Sequence, residues 1–153
     1  QQIVSEKKDV MLCLVGPKEG LYKEIKEKTV QKGLEDKVYF AGKQENIRRY
    51  LSAMAVFLFP SIFEGVPFAL IEAQANGLAC VMSEAVSEEA VVFPERVRRL
   101  SLDRNNIQWA AAVMAMSSMN REAADLIKMR LSDAHFNIET EAKRLKDLYY
   151  HTR

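Results

Sequence analysis

The sequence predicts an α/β fold, a Rossmann-like parallel sheet with helices on both faces. Three observations lead there. Short apolar runs alternate with stretches of helical spacing from Asp9 onward. The run Ala55–Phe59 is apolar at consecutive positions rather than alternate ones, the pattern of a strand buried on both faces of a parallel sheet. Glycine or proline marks the joints, at Gly16-Pro17, Gly42, Pro60 and Gly77.

Each element follows from its own residues. Gln1 to Lys7 reads as the closing turns of a helix with no strand before it, so the sheet is expected to lack its first strand. Val10 to Val15 is the first clear strand, followed by a helix over about Leu21–Lys32, a strand over Lys37–Phe40 and a helix over about Gln44–Ala53. Strand Ala55–Phe59 ends at Pro60. Gly65 permits a tight turn, and Pro67, with its fixed φ and missing N–H, suits the first position of a helix running to about Asn76. Gly77 suits the left-handed position after that helix, and Ala79–Met82 is a further buried strand. Val97–Leu102 reads as a last short strand, with helices over about Ile107–Met116 and Arg121–Leu131. Ile138, Ala142, Leu145 and Leu148 or Tyr149 then recur at helical spacing behind Asn137, a plausible cap.

Composition narrows the function. At 153 residues and 48% apolar the chain is one domain with enough material for a core. Its 22 basic and 21 acidic side chains leave a net charge of +1, which gives no field of one sign to gather nucleic acid or a membrane surface. Cys13 and Cys80 fall in the expected strands without metal-ligand spacing, and read as small core residues of a reducing compartment. The N-terminus has no signal-peptide pattern and no apolar run nears bilayer length, so a soluble, cytoplasmic chain is expected.

In a parallel α/β sheet, ligands bind outside the carboxyl ends of the strands. Gly16-Pro17, Gly42-Lys43, Ser61 to Gly65 and Ser83-Glu84 occupy those ends here. Taken singly, Gly16, Gly42 and Ser83 read as turn residues. The segment Ser61-Ile62-Phe63-Glu64-Gly65-Val66-Pro67-Phe68-Ala69-Leu70-Ile71-Glu72-Ala73 carries more. It joins a strand to a helix whose first N–H groups, near Gly65, Val66 and Phe68, would point at an anion such as a phosphate. Glu64 and Glu72 flank that spot. Their spacing alone means little, since Glu19 and Glu27 share it. His135 and His151 lie away from the rim and read as surface or packing residues, and Trp109, among Ile107, Ala110, Ala111 and Val113, as a core anchor.

That segment closely resembles the donor-site signature of the retaining glycosyltransferases of group 1, or family 4, which includes many capsular and exopolysaccharide enzymes. The likeness runs from Lys8-Asp9-Val10 through Gly77-Leu78-Ala79-Cys80-Val81, and more loosely through Leu100-Ser101-Leu102-Asp103 and Trp109 to the terminal helix. It implies the donor-binding C-terminal half of a glycosyltransferase-B fold over residues 1–153, with the acceptor-binding N-terminal domain absent from this chain. By the same resemblance the donor is a nucleoside diphosphate sugar, and no metal or other cofactor is expected. Glu72 would hold the ribose hydroxyls. Glu64 would lie nearest the transferred sugar as the catalytic residue. Gly65 and Val66 N–H groups, with Ser61, Pro67 and Phe68 beside them, would meet the diphosphate, the backbone at Gly42 and Lys43 would face the base, and the turn at Gly16 would meet the base or a phosphate. The acceptor would be a glycan or lipid-linked, and the full-length enzyme would attach peripherally to the inner face of the membrane; no nucleic-acid partner is implied. Two departures stand out: Gly16-Pro17-Lys18-Glu19-Gly20 replaces a glycine-rich turn, and Ala79 stands where proline is common.

Two rivals remain at this level. A nucleotide-sugar epimerase of the same fold would need further acids and a histidine in the cleft. A non-catalytic flavodoxin-like receiver or binding module would need clustered acids after the first strand, where Gly16 and Pro17 stand.

Overall fold

The computed structural model describes residues 1–151, with side chains to residue 150. The expectation for the His151 side chain therefore lies outside the described residues. The chain divides into two compact units, Gln1–Tyr50 and Leu51–Arg153.

The first unit holds helix α1 (Gln2–Glu6), strand β1 (Leu12–Val15), helix α2 (Tyr22–Gln31), a 3-10 turn at Glu35–Lys37 and strand β2 (Val38–Gly42), and it contains the start of helix α3 (Ile47–Ala53). β1 and β2 run parallel, with Leu12 opposite Val38 and Leu14 opposite Phe40. The register then slips, so that Val15 faces Gly42. Tyr22 meets Phe40 edge to face at 5.3 Å, which seats α2 on β2 through a favoured aromatic geometry. α3 starts three residues later than its sequence pattern suggests. Gln44 explains the delay, because its amide donates to the Ala41 carbonyl at 2.6 Å and holds the chain in a turn.

The second unit contains strands β3 (Val56–Phe59), β4 (Ala79–Ser83) and β5 (Val97–Leu100), and helices α4 (Phe68–Ala75), α5 (Asn106–Ser117), α6 (Ala124–Asp133) and α7 (Ile138–His151). The strands form a parallel sheet in the order β3-β4-β5. β4 is buried at every position, so both of its faces are covered, and α4 and α5 both pack against it. Leu70, Leu78, Val81, Met82 and Phe93 fill this core. β3 is less buried than its apolar sequence suggests, and Leu58 is 38% exposed. The reason is position: among the described residues β3 forms a ladder with β4 alone. β1 is likewise only partly covered, so Cys13 is half-buried while Cys80 is fully buried.

Ends of elements have local causes. α4 closes with Gly77 at φ +73, while Gly77 N–H bonds the Gln74 carbonyl and Leu78 N–H bonds that of Ala73, the paired-bond helix stop that glycine favours. Pro67 precedes α4 as its cap residue, one position earlier than expected. β5 ends at Leu100 because the Ser101 hydroxyl accepts the Asp103 N–H at 3.2 Å and turns the chain. α6 begins at Ala124 rather than Arg121, since the Glu122 N–H is engaged by the Gly77 carbonyl at 3.2 Å. Asn137 caps α7 as expected, its side-chain oxygen accepting the Glu139 N–H at 3.0 Å.

Two arginines fasten the helix ends. Arg121 donates to the carbonyls of Leu51, Ser52 and Met54 and to that of Asn76, so one guanidinium serves carbonyls at the C-terminal ends of both α3 and α4. Buried Arg96 donates to the carbonyls of Gly77 and Asn120 and pairs with Glu122 at 3.5 Å.

Candidate donor-binding site

β3 and β4 are parallel and in register, with Phe59 opposite Met82, so the loop from Ser61 and the segment from Ser83 leave the same end of the sheet. The loop runs from Pro60 to Pro67 and enters α4 at Phe68. The Ser61 hydroxyl lies 2.8 Å from a Glu64 carboxylate oxygen and 3.2 Å from the Phe63 carbonyl. Donation to the carboxylate is the stronger choice, being charge-assisted. One oxygen of half-buried Glu64 is thus oriented by its own loop, and the other keeps its acceptor capacity.

Among the described residues, no hydrogen bond engages the N–H of Gly65, Val66 or Ala69. Phe68 differs from expectation. Its N–H bonds the Val66 carbonyl at 3.0 Å and is not offered to a ligand. Pro67 is buried and has no N–H, so its contribution is to set the entry of the chain into the helix. The free donors at the start of α4 therefore come from Gly65, Val66 and Ala69, a group sequence reading had placed at Gly65, Val66 and Phe68. Glu72 is exposed on α4 and Ile62, Phe63, Val66 and Phe68 give the loop an exposed apolar lip.

The neighbouring strand end is less available. Ser83 is fully buried, and its hydroxyl accepts the Ala85 N–H at 3.0 Å, so it closes a turn rather than facing a ligand. Glu84 is exposed, and its carbonyl accepts from Arg99 at 3.0 Å.

In the first unit, Gly16 donates to the Gly42 carbonyl at 3.0 Å, bringing the ends of β1 and β2 together. Gly42 is buried at φ +72, a conformation that glycine adopts without strain, and Lys43 is exposed beyond it. Lys18 was not singled out from the sequence. Its side chain lies over Gly42, 3.5 Å from where a Cβ would stand, so a cation sits beside the backbone at this strand end. A lysine two residues past Gly16 was the available signal. Gln74 was also missed, although its place four residues after Leu70 puts a polar side chain on the core face of α4.

His135 lies outside these strand ends, at φ +62 just after α6, and its ring meets Glu141 at 2.7 Å. Trp109 is half-buried, with its indole N–H on the Ser101 carbonyl at 3.3 Å. Among the described residues no group of three or more His, Cys, Asp or Glu side chains could hold a metal ion, and no helix is long and apolar enough to cross a membrane.

A parallel sheet with a carboxylate loop and free N–H donors at a strand end has the form of a nucleotide-binding half-domain. Residues 1–119 match the family Glycosyl transferases group 1, and the chain belongs to it. It is 32% identical over 126 residues to EpsF of Bacillus subtilis, named as a glycosyltransferase, covering 82% of this chain and 33% of that protein. It is 35% identical over 116 residues to the amylovoran biosynthesis glycosyltransferase AmsK of Erwinia amylovora, covering 71% and 28%. The structure of Anabaena Alr3699/HepE in complex with UDP matches at a TM-score of 0.75 and 18% identity, over 98% of this chain and 44% of that one. At that identity the likeness is one of fold, and it bears out the expected glycosyltransferase-B architecture. Sucrose-phosphate synthase of Thermosynechococcus elongatus matches at 0.73 and 25% identity, over 97% and 40%. The chain spans about a third of the length of the curated relatives it matches. Family membership favours the transferase reading over the epimerase and receiver alternatives.

Proposed function

We propose that this chain is the donor-binding part of a glycosyltransferase of polysaccharide biosynthesis, and that it binds a nucleoside diphosphate sugar at the loop between β3 and α4. The observation that carries this reading is the grouping, on one strand-to-helix connection, of Ser61-oriented Glu64, the unengaged N–H groups of Gly65, Val66 and Ala69, and exposed Glu72. The N–H groups meet the diphosphate and stabilise the charge that grows on it as the sugar leaves. Glu72 accepts two ribose hydroxyls. Glu64 serves the transferred sugar, which passes to its acceptor with retention of anomeric configuration in the complete protein. Backbone donors, rather than a metal, answer the diphosphate charge in this reading.

The acceptor, a glycan or a lipid-linked one, belongs to the proposal at the level of the whole protein, as do a cytoplasmic setting and peripheral attachment to the membrane. UDP-bound HepE and the galactosyltransferase of Escherichia coli named for UDP-Gal and a diphosphoundecaprenol acceptor support the choice of ligands to test. A thermal-shift screen against UDP, GDP and their sugars, repeated with a chelator, tests it: a ligand at 100 times its dissociation constant adds about 2.7 kcal/mol. No shift with any nucleotide would remove the site, and a shift abolished by the chelator would overturn the metal-free reading.

A further inference from the structure

We infer that Gln74 is a positioning residue for Glu72, fixing the rotation of α4 so that the carboxylate faces the nucleotide; this rests on the donor-site reading above. Gln74 is a polar side chain only 1% exposed, on the face of α4 that otherwise buries Leu70, Ile71 and Ala73. Its amide nitrogen donates to the carbonyls of Leu70 at 3.2 Å and Ala90 at 2.7 Å. Its amide oxygen accepts the N–H groups of Val92 at 2.8 Å and Phe93 at 3.1 Å. Both donors and both acceptor sites of the amide are therefore used.

Three of those bonds reach the segment that leaves the carboxyl end of β4 and returns toward β5. The start of the same segment is held by Arg99, which donates to the carbonyls of Glu84 and Val86 and pairs with Glu88. Gln74 thus ties α4 to backbone that is itself anchored. The remaining buried residues of α4, Leu70, Ile71 and Ala73, are apolar and give non-directional contact. Hydrogen bonds are directional, so the amide restrains rotation of the helix on its buried face, beside the bonds that Arg121 and Arg96 make to Asn76 and Gly77 at its end.

Glu72 lies two residues before Gln74, about 200° around the helix and on the exposed side. With side chains reaching about 5–6 Å from the axis, a rotation of about 20° would carry the Glu72 carboxylate about 2 Å. A displacement of about 1 Å is enough to cost a positioned group much of its effect.

The test is a double-mutant cycle on UDP affinity, read by calorimetry on the whole chain with circular dichroism as the check on folding. Gln74→Met should weaken binding about fivefold to tenfold, and the loss should vanish in the Glu72→Ala background, because the two act as a unit. Gln74→Glu, which keeps the acceptors for Val92 and Phe93, should retain more affinity than Gln74→Met. An unchanged affinity in folded Gln74→Met, or an equal loss in both backgrounds, would overturn the inference while leaving the donor site intact. Loss of folding in both Gln74 variants would make the residue a folding determinant and also overturn it. If wild type fails to bind, or Glu72→Ala binds as well as wild type, the donor-site reading fails first and this inference falls with it.

Discussion

Ser61 and Glu64 show how a loop of this kind can hold a carboxylate ready without burying it. The hydroxyl fixes one oxygen at 2.8 Å, and among the described residues no ion pair engages the other. If that second oxygen serves the sugar during transfer, Glu64→Gln in the full-length protein should lower turnover far more than it weakens UDP binding, the mark of an interaction made in the transition state. Steady-state kinetics set beside calorimetry would show it; parallel losses would assign Glu64 a binding or folding role. Glu72→Ala should instead weaken UDP binding while leaving the circular dichroism spectrum unchanged. Loss of one hydrogen-bonded charge costs about 1.5–3 kcal/mol, with the low end expected at so exposed a position. Calorimetric affinity equal to wild type would withdraw the ribose role. The sequence pointed to both glutamates because their setting, not their spacing, is distinctive. It could not show that Phe68 spends its N–H on Val66, since that bond depends on how Pro67 turns the backbone.

Helix α4 and the strands beside it were legible in outline from sequence, and the reasons are physical. Gly77 announced its left-handed turn, and apolar runs announced β3 and β4. What escaped were boundaries set by particular hydrogen bonds, such as the Gln44 amide that delays α3 and the backbone bond from Glu122 to Gly77 that delays α6. Gly77 gives a direct test of the helix stop. A Cβ there would lie 3.0 Å from the Glu122 backbone nitrogen, in addition to the cost of the positive φ. Gly77→Ala should therefore destabilise the chain by about 1–3 kcal/mol. For a chain of this size calorimetry would read about 2–4 °C of melting temperature per kcal/mol; an unchanged melting temperature would mean that the α6 lead-in yields freely. Strand β4 offers a second test through Cys80. Burial pushes its thiol up to about 12, against the opposing pull of Arg96. The neutral thiol is the folded-state form, so this contribution is intact below the ordinary value of 9.0 and is lost as pH rises from there toward about 12. Denaturation curves above pH 9 should fall more steeply for wild type than for Cys80→Ala, and equal slopes would show that the thiol is not desolvated.

For the whole molecule, the sequence conveyed the parallel α/β class and the family, while the division of the strands into two hydrogen-bonded sheets came only from the structure. Apolar runs reveal which segments pair but not which edges close. In the proposed reading, residues 1–153 bind the donor without transferring it, because orienting an acceptor and excluding water are tasks of a complete cleft. A labelled-donor assay with lipid and oligosaccharide acceptors should show no product above a Glu64→Gln, Glu72→Gln control, and turnover by this chain alone would overturn that division of labour. The edge position of β3 has a practical side as well. Val56-Phe57-Leu58-Phe59 is short, uncharged and rich in β-formers, and among the described residues one side of its backbone is unpaired. Such an edge can template the same edge of another molecule, and charged residues are the usual guard against it. Concentrated solutions of this chain should therefore grow turbid or form oligomers visible by light scattering, and Leu58→Lys should keep them clear.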